Sequence, residues 1–168
     1  MGSNNKQLEQ VRFVTATEKD VPVILDFIKQ IATYEKMLDK VIATEESLKE
    51  SIFENNRAEA LLIEFDNKFI GYIVYFFNYS TFIGREGIFI EDLYIKPEYR
   101  GQGIGKKCFE YIVHIGKEHK CERIEWTCLD WNEPSLKFYK TIGGKQMKEW
   151  IIHRLDKEAI DRISENSL

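Results

Sequence analysis

Apolar residues recur along the chain with two spacings, and these divide it into strands and helices in mixed order. Alternating or continuous apolar runs predict strands at 11–16, 58–65, 69–77, 87–95, 123–129 and 145–155. Helical spacing predicts helices at 17–36, 44–54, 104–119 and 131–144, followed by a tail that is at most a frayed helix. The strand at 87–95, its following helix and the strand at 123–129 form a β-α-β unit, so these two strands are predicted to run parallel.

Composition narrows the class of protein. The chain has 168 residues, of which 43% are hydrophobic, enough for one well-buried core. We therefore expect a flexible segment at 1–10 and a single domain at 11–168. The net charge of −4 and the absence of a basic stripe argue against a nucleic-acid partner. No signal peptide or membrane-spanning run is found, which predicts a cytoplasmic protein without a membrane partner.

The histidines and cysteines predict no metal site. Cys108, Cys121 and Cys128 form no CxxC pair, and the three histidines show no ligand spacing. The cysteines are therefore interpreted as free thiols.

Three of the ten glycines fall within "YRGQGIGK", between the predicted strand at 87–95 and the next helix. Backbone amides at a helix N-terminus bind anions, so this stretch predicts a site for a phosphate-bearing ligand. The spacing fits neither a P-loop nor a dinucleotide fingerprint. A glycine-rich helix start without any ligand is the structural alternative.

Two longer motifs carry a resemblance to a known family. "IEDLYIKPEYRGQGIGK" followed by "LDWNEPSLKFYKTIGGK" resembles the GNAT superfamily of N-acetyltransferases, and within it the diamine (spermidine/spermine) N-acetyltransferases and their thialysine-acetylating relatives. The resemblance implies an α/β fold with a seven-stranded mixed sheet, splayed between the fourth and fifth strands at the acetyl-CoA site. It also implies acetyl-CoA as donor, a small amine as acceptor and a homodimer. Only six strands are predicted, so the seventh is expected near the C-terminus.

The resemblance also assigns roles by position. The backbone that would bind the pantetheine arm is that of Leu93, Tyr94 and Ile95. The residues that would hold the pyrophosphate are Arg100, Gly101, Gln102, Gly103, Ile104, Gly105 and Lys106. The far side of the coenzyme would be lined by Asn132, Pro134 and Ser135. The amine substrate would be bound by Tyr34, Glu35, Glu91, Asp92, Glu125, Trp126 and Thr127.

Acetyl transfer requires a neutral amine, although a lysine-like amine has a pKa of about 10.4. Strand alternation sends Glu91 and Asp92 to opposite faces unless a bulge re-aims one of them. The resemblance favours Glu91 as the base, acting through water, and Tyr139 as the general acid and a coenzyme contact. The structural alternatives are a solvated strand face for the acids, a solvated helix end for Glu35 and a core aromatic for Tyr139.

One stretch departs from the family. "NYSTFIG" carries Ser80, Thr81 and Phe82 where the mammalian polyamine enzymes have Asp-Pro-Trp. The missing acid argues against long polyamines. The main hypothesis is acetylation of a small diamine or polyamine-like amine. The alternatives are acetylation of thialysine or another amino-acid side chain, acetylation of a protein lysine or N-terminus, and a non-catalytic acyl-CoA-binding protein.

Overall fold

The protein is described here by a computed structural model that covers residues 8–165. Its strands are β1 (Arg12–Thr15), β2 (Glu59–Phe65), β3 (Lys68–Ser80), β4 (Arg85–Ile95) and β5 (Ile124–Trp126). Its α-helices are α1 (Val21–Tyr34), α2 (Glu45–Leu48, continued by a π-helical stretch at Lys49–Glu54), α3 (Ile104–Glu118), α4 (Glu133–Thr141) and α5 (Lys157–Glu165). The chain divides after Thr127 into two compact units. Within residues 8–165, no helix is long and apolar enough to cross a membrane.

The first unit is built on a mixed sheet with strand order β1-β2-β3-β4-β5. The first four strands are antiparallel neighbours, and β4 and β5 are parallel, as the β-α-β pattern predicts. The β2–β3 hairpin turns at Asp66 and Asn67, which both have positive φ. Such a turn matches the right-handed twist of the flanking strands, and Asn and Asp tolerate it better than most residues.

The helices of the first unit pack on the sheet through apolar side chains. On one face, the core includes Ile24 and Phe27 of α1, Ile52 after α2, and Leu62 and Tyr72 of the sheet. The other face receives α3, whose residues Ile104, Cys108 and Ile112 are buried. Burial raises the pKa of the Cys108 thiol to about 12, which makes it a core residue with little thiolate character. The sheet therefore has two buried faces.

Two of the strand predictions need correction. The strand predicted at 123–129 is shorter, because its ladder with β4 ends at the pair Ile90–Trp126. The strand predicted at 145–155 does not form within the described residues, and the second unit contains no strand that could pair with it. Trp150 and Ile151 are 70% and 77% exposed in this segment. An apolar run becomes a strand only where its backbone finds a ladder partner.

These corrections change the strand count that the sequence resemblance implied. Five strands lie in the described part of the chain, instead of seven. The tail forms a regular helix, α5, where at most a frayed one is predicted. Residues 1–7 of the segment predicted to be flexible lie outside the described part of the chain.

Candidate active site

A β-bulge lies at the two adjacent acids of β4. The register pairs Val74 with Asp92 and Tyr75 with Ile90, so Glu91 is the extra residue that β4 inserts between these two pairs. Directly paired residues point to the same face of a sheet, whereas neighbours along a strand point to opposite faces. Asp92 therefore lies on the α1 face and Ile90 on the α3 face, although they are two residues apart. The bulge reverses the alternation and re-aims the acids.

Asp92 has a buried partner on the next strand. The Tyr72 hydroxyl donates to Asp92 Oδ2 at 2.6 Å, and the Tyr72 side chain is 0% exposed. Burial raises the pKa of Asp92 above its ordinary value, and the hydrogen bond from Tyr72 lowers it in part. A carboxyl group in this position takes up a proton more readily than one in water.

A third acid approaches Asp92 from the end of α1. Glu35 is the C-cap of that helix and is partly buried. Its pKa is raised, first by burial and then by the charge of Asp92. The C-terminal end of a helix also carries a partial negative charge, which disfavours a carboxylate there. The sequence-predicted residues Glu35 and Asp92 are thus brought together, in an arrangement that a bound cation would stabilise.

Arg100 lies close to this cluster but is engaged in its own contacts. Its Nε donates to the carbonyl oxygen of Ile95 at 2.7 Å. Its guanidinium lies 4.7 Å from the Tyr34 ring centroid and 5.3 Å from that of Tyr94, within the range of cation–π contacts. The side chain therefore links the start of the glycine loop to the aromatic residues beside the acids. Its predicted role at the pyrophosphate stays a prediction.

The glycine loop leads directly into α3. Gly101 and Gly103 have φ of +73° and +87°, and Gly103 is the N-cap of the helix. A side chain at these φ values is strained, so glycine is the residue that allows this tight turn. The first turn of α3 contains no acidic residue. Its amide groups and helix dipole favour an anion, which is the predicted chemistry of the loop.

The two lysines of α3 are engaged differently. Lys106 pairs with Glu110 at 3.6 Å on the exposed face of the helix. Lys107 donates to the carbonyl oxygens of Leu8 and Val11 and so fixes the chain before β1. Of the two, only Lys106 keeps an exposed ammonium group near the start of the helix.

The edge of β4 that faces β5 is paired before the bulge and has no β5 pair after it. The ladder with β5 ends at Ile90–Trp126, so Leu93, Tyr94 and Ile95 have no β5 pair. The family resemblance implies that β4 and β5 splay apart at this place and that the β4 backbone binds pantetheine here. The geometry is compatible with that role, which stays a prediction.

The three predicted substrate residues on or after β5 have different surroundings. Glu125 Oε2 accepts a hydrogen bond from Asn78 at 2.9 Å and lies 3.1 Å from Arg123 Nε. Trp126 packs edge-on against Phe109 of α3, with ring centroids 4.9 Å apart. Thr127 is exposed at the end of the first unit. Glu125 thus has a structural ion pair beside its predicted substrate role.

The second unit holds the remaining predicted residues. Asn132 is buried and caps α4, its Oδ1 accepting from the Ser135 amide at 3.4 Å. Pro134 occupies the first turn, a position that needs no amide donor. Tyr139 is half-buried on the same helix, next to Phe138. Asn132, Ser135 and Tyr139 are thus ordered on one short helix and its cap.

Sequence reasoning missed one residue of the cluster, Tyr72. Little in the sequence indicated a site role for Tyr72, because a tyrosine in an apolar strand is typical of a core aromatic residue. The pairing of β3 with β4 places it diagonally from Asp92, which depends on the bulge and could not be read from either strand alone.

Comparison with known proteins identifies the family of this chain. Residues 26–143, well over half of the chain, match the acetyltransferase (GNAT) family. The chain belongs to the GNAT family of acetyltransferases. The thialysine N-epsilon-acetyltransferase of Sus scrofa is 36% identical over 161 residues, which cover 89% of this chain and 94% of that protein. The mouse thialysine N-epsilon-acetyltransferase is 31% identical, with 94% of this chain and 99% of that protein covered.

A more distant relative and a solved structure complete the comparison. The human spermidine/spermine N(1)-acetyltransferase-like protein 1 is 24% identical and covers 95% of this chain, which spans 24% of that protein. An integron cassette protein from V. cholerae has a TM-score of 0.77 at 22% identity, covering 93% of this chain and 98% of its own, and supports the fold. GNAT membership confirms the predicted family, the α/β fold class and acetyltransferase activity. Among amine classes, the relatives support the thialysine alternative better than the diamine hypothesis.

Proposed function

We propose that this acetyltransferase acetylates the side-chain amine of a small amino acid of the thialysine type. Short diamines form the next class of substrates, because their two amines are separated by a distance similar to that between the two amines of such an amino acid. Two thialysine N-epsilon-acetyltransferases that match almost end to end support the first class. The stretch Ser80 to Phe82, which lacks an acid, argues against long polyamines, because these carry further ammonium groups that need partners.

The observation that carries the proposal is the pair of acids Glu35 and Asp92. Each has a raised pKa through burial, and the charge of Asp92 raises the pKa of Glu35 further. Two carboxylates in this arrangement repel each other in the free protein. An ammonium group of the substrate would relieve both the burial cost and the repulsion, because an opposite charge nearby favours the ionised form. We therefore assign this pair to the cationic substrate.

Glu91 is proposed to prepare the attacking amine. It is the exposed bulge residue of β4, and its position at the end of the β4–β5 ladder places it where the sheet edge becomes available. We infer that its carboxylate accepts the amine proton through a water molecule. General bases of this kind contribute about 10²–10⁴-fold to a rate.

Acetyl-CoA supplies the activated acetyl group, and several features of this chain fit it. The acid-free N-terminus of α3 and its two positive-φ glycines suit a pyrophosphate. The β4 edge beyond the bulge can offer backbone groups to the pantetheine amides. Tyr139 is proposed to donate its hydroxyl proton to the leaving sulfur, because a phenol with an ordinary pKa of about 10 keeps that proton at neutral pH.

A substrate panel tests the proposal. Purified protein and acetyl-CoA would be incubated with thialysine, lysine, ornithine, putrescine, spermidine and a lysine-containing peptide. Release of the CoA thiol would be followed, with mass spectrometry of each acetylated product. We expect the highest kcat/KM for thialysine and lower values for the diamines. A preference for spermidine or for the peptide would overturn the substrate assignment. A lack of turnover with every amine, despite acetyl-CoA binding, would favour a non-catalytic protein.

A further inference from the structure

Tyr72 occupies an unusual position for a polar side chain. It lies in β3, fully buried at 0% exposure, with its ring stacked on Phe27 at 5.4 Å. A phenylalanine would provide the same ring in this apolar cluster. Burying a hydroxyl group costs free energy unless it forms a hydrogen bond. The only hydrogen bond recorded for this hydroxyl in the described residues is the one to Asp92.

The hydroxyl acts on Asp92 as a donor. Burial raises the pKa of Tyr72 far above its ordinary value, and the nearby charge of Asp92 raises it further. The phenol therefore keeps its proton at all physiological pH values. A donor to a carboxylate favours its ionised form, and the bond at 2.6 Å occupies Oδ2 only.

We propose that Tyr72 is a positioning residue for amine recognition, which fixes the Asp92 carboxylate and holds it ionised toward the cationic group of the substrate. This inference rests on the proposed function, because it assumes that Asp92 binds the amine substrate. It adds a residue outside the acid motif of β4 and outside the glycine loop. Tyr72 need not touch the substrate, since its effect passes through Asp92.

The other charged groups around Asp92 determine the pH dependence. Glu35 approaches from the end of α1, and Glu91 precedes Asp92 on β4 and contributes to the raised pKa of Tyr72. Both are acids, so neither offers Asp92 a positive partner. The nearby Arg100 guanidinium is held by the Ile95 carbonyl oxygen and the Tyr34 and Tyr94 rings. Tyr72 is thus the group that lowers the pKa of Asp92. Without its hydroxyl, Asp92 would take up a proton at higher pH, and amine binding would weaken at the same point.

The direct test compares two tyrosines of the same strand. Tyr72→Phe removes the donor and keeps the ring. Tyr75→Phe is the matched control, because Tyr75 is also buried, at 7% exposure, but is paired on the opposite face of the sheet. For Tyr72→Phe we expect KM for thialysine to rise about tenfold, the usual effect of losing a hydrogen bond to a charged group. The acid limb of kcat/KM for the amine should move to higher pH, with KM for acetyl-CoA unchanged.

Two further measurements separate the possible failures. In an Asp92→Asn background, Tyr72→Phe should have little additional effect on KM, because the two residues act as one unit. A carbon-13 NMR titration of the aspartate carboxyl groups, identified by their loss in Asp92→Asn, should show a higher pKa for Asp92 in Tyr72→Phe than in the parent. This readout does not depend on turnover.

An unchanged Asp92 titration in Tyr72→Phe would overturn the inference. So would equal effects of Tyr72→Phe and Tyr75→Phe on amine KM, or fully additive effects with Asp92→Asn. If the titration shifts as expected while no small amine is acetylated by the parent protein, the contact is confirmed and the proposed function fails instead.

Discussion

Replacing Asp92 by asparagine should stabilise the protein and weaken its function. The substitution keeps the size of the side chain and an oxygen that can accept from Tyr72, but it removes the negative charge. That charge is partly buried and lies near a second acid, Glu35, which caps the negative end of α1. The free protein therefore holds it at a cost, and the substrate cation is the partner that would offset this cost.

The stability effect has a defined pH dependence. Because burial raises the pKa of Asp92, the folded state binds its proton more tightly than the unfolded state does. The parent therefore loses stability as pH rises from the ordinary carboxyl pKa through the folded one. Asp92→Asn carries no titrating carboxyl group at this position and does not lose this stability. Its gain in the free energy of unfolding over the parent should therefore be absent in acid and fully present at neutral pH. An under-paired buried polar group costs about 1–3 kcal/mol, and Tyr72 already supplies one partner, so we expect about 1 kcal/mol. That corresponds to a rise of about 2–4 °C in Tm.

The functional effect should be larger and opposite in sign. Removing one partner of a buried charge pair costs about 2 kcal/mol or more, so kcat/KM for the amine should fall about 30-fold or more. Thermal melts between pH 4 and 8 and steady-state kinetics would measure both effects. Asp39→Asn is the matched control, because Asp39 is an exposed carboxylate with Lys40 at 3.0 Å. A lower Tm at neutral pH, or an unchanged amine KM, would refute the assignment of Asp92 to the cation.

Three further predictions address the other parts of the site. Gly105→Val should weaken acetyl-CoA binding in a calorimetric titration with little loss of Tm, because Gly105 lies within α3, where valine is a better helix former than glycine; unchanged affinity would contradict the loop assignment. Tyr139→Phe should lower kcat and kcat/KM together by about 10²–10⁴-fold in single-turnover and steady-state assays, with Tm unchanged; an active variant would leave Tyr139 as a core aromatic. We also expect a homodimer whose interface covers the exposed apolar segment 147–155. Trp150→Glu should therefore shift the mass measured by light scattering from that of a dimer to that of a monomer. A monomeric parent protein would disprove the dimer.

The sequence was informative wherever a single element determines its own structure. The spacing in α1 and α3 and the parallel β4–β5 pair follow from local patterns and from the connection between two strands. The start of α4 was likewise readable, because Asn132 and Pro134 are typical of a helix N-terminus. These features depend on neighbours within a few residues or on a rule of chain topology.

The apolar run at 145–155 shows where such reasoning fails. Its composition is that of a strand, but pairing depends on a partner elsewhere, which the segment itself cannot specify. In the described structure it is irregular, and Ile152 is 72% exposed. The same limit explains why Tyr72 was not selected as a site residue. Its role depends on which residue of β4 lies opposite, and the register is a property of two strands.

The bulge at Glu91 connects the fold to the proposed chemistry. With regular alternation, Asp92 would share the face of Ile88 and Ile90, which is covered by α3. An unpaired carboxylate buried there would be costly. One extra residue in β4 instead places the isoleucines under α3 and Asp92 on the α1 face, beside Tyr72. The ladder with β5 ends at the same point, so the acids and the available backbone edge lie together. A single irregularity in strand pairing thus allows a closed core on one face and a cation-binding acid on the other.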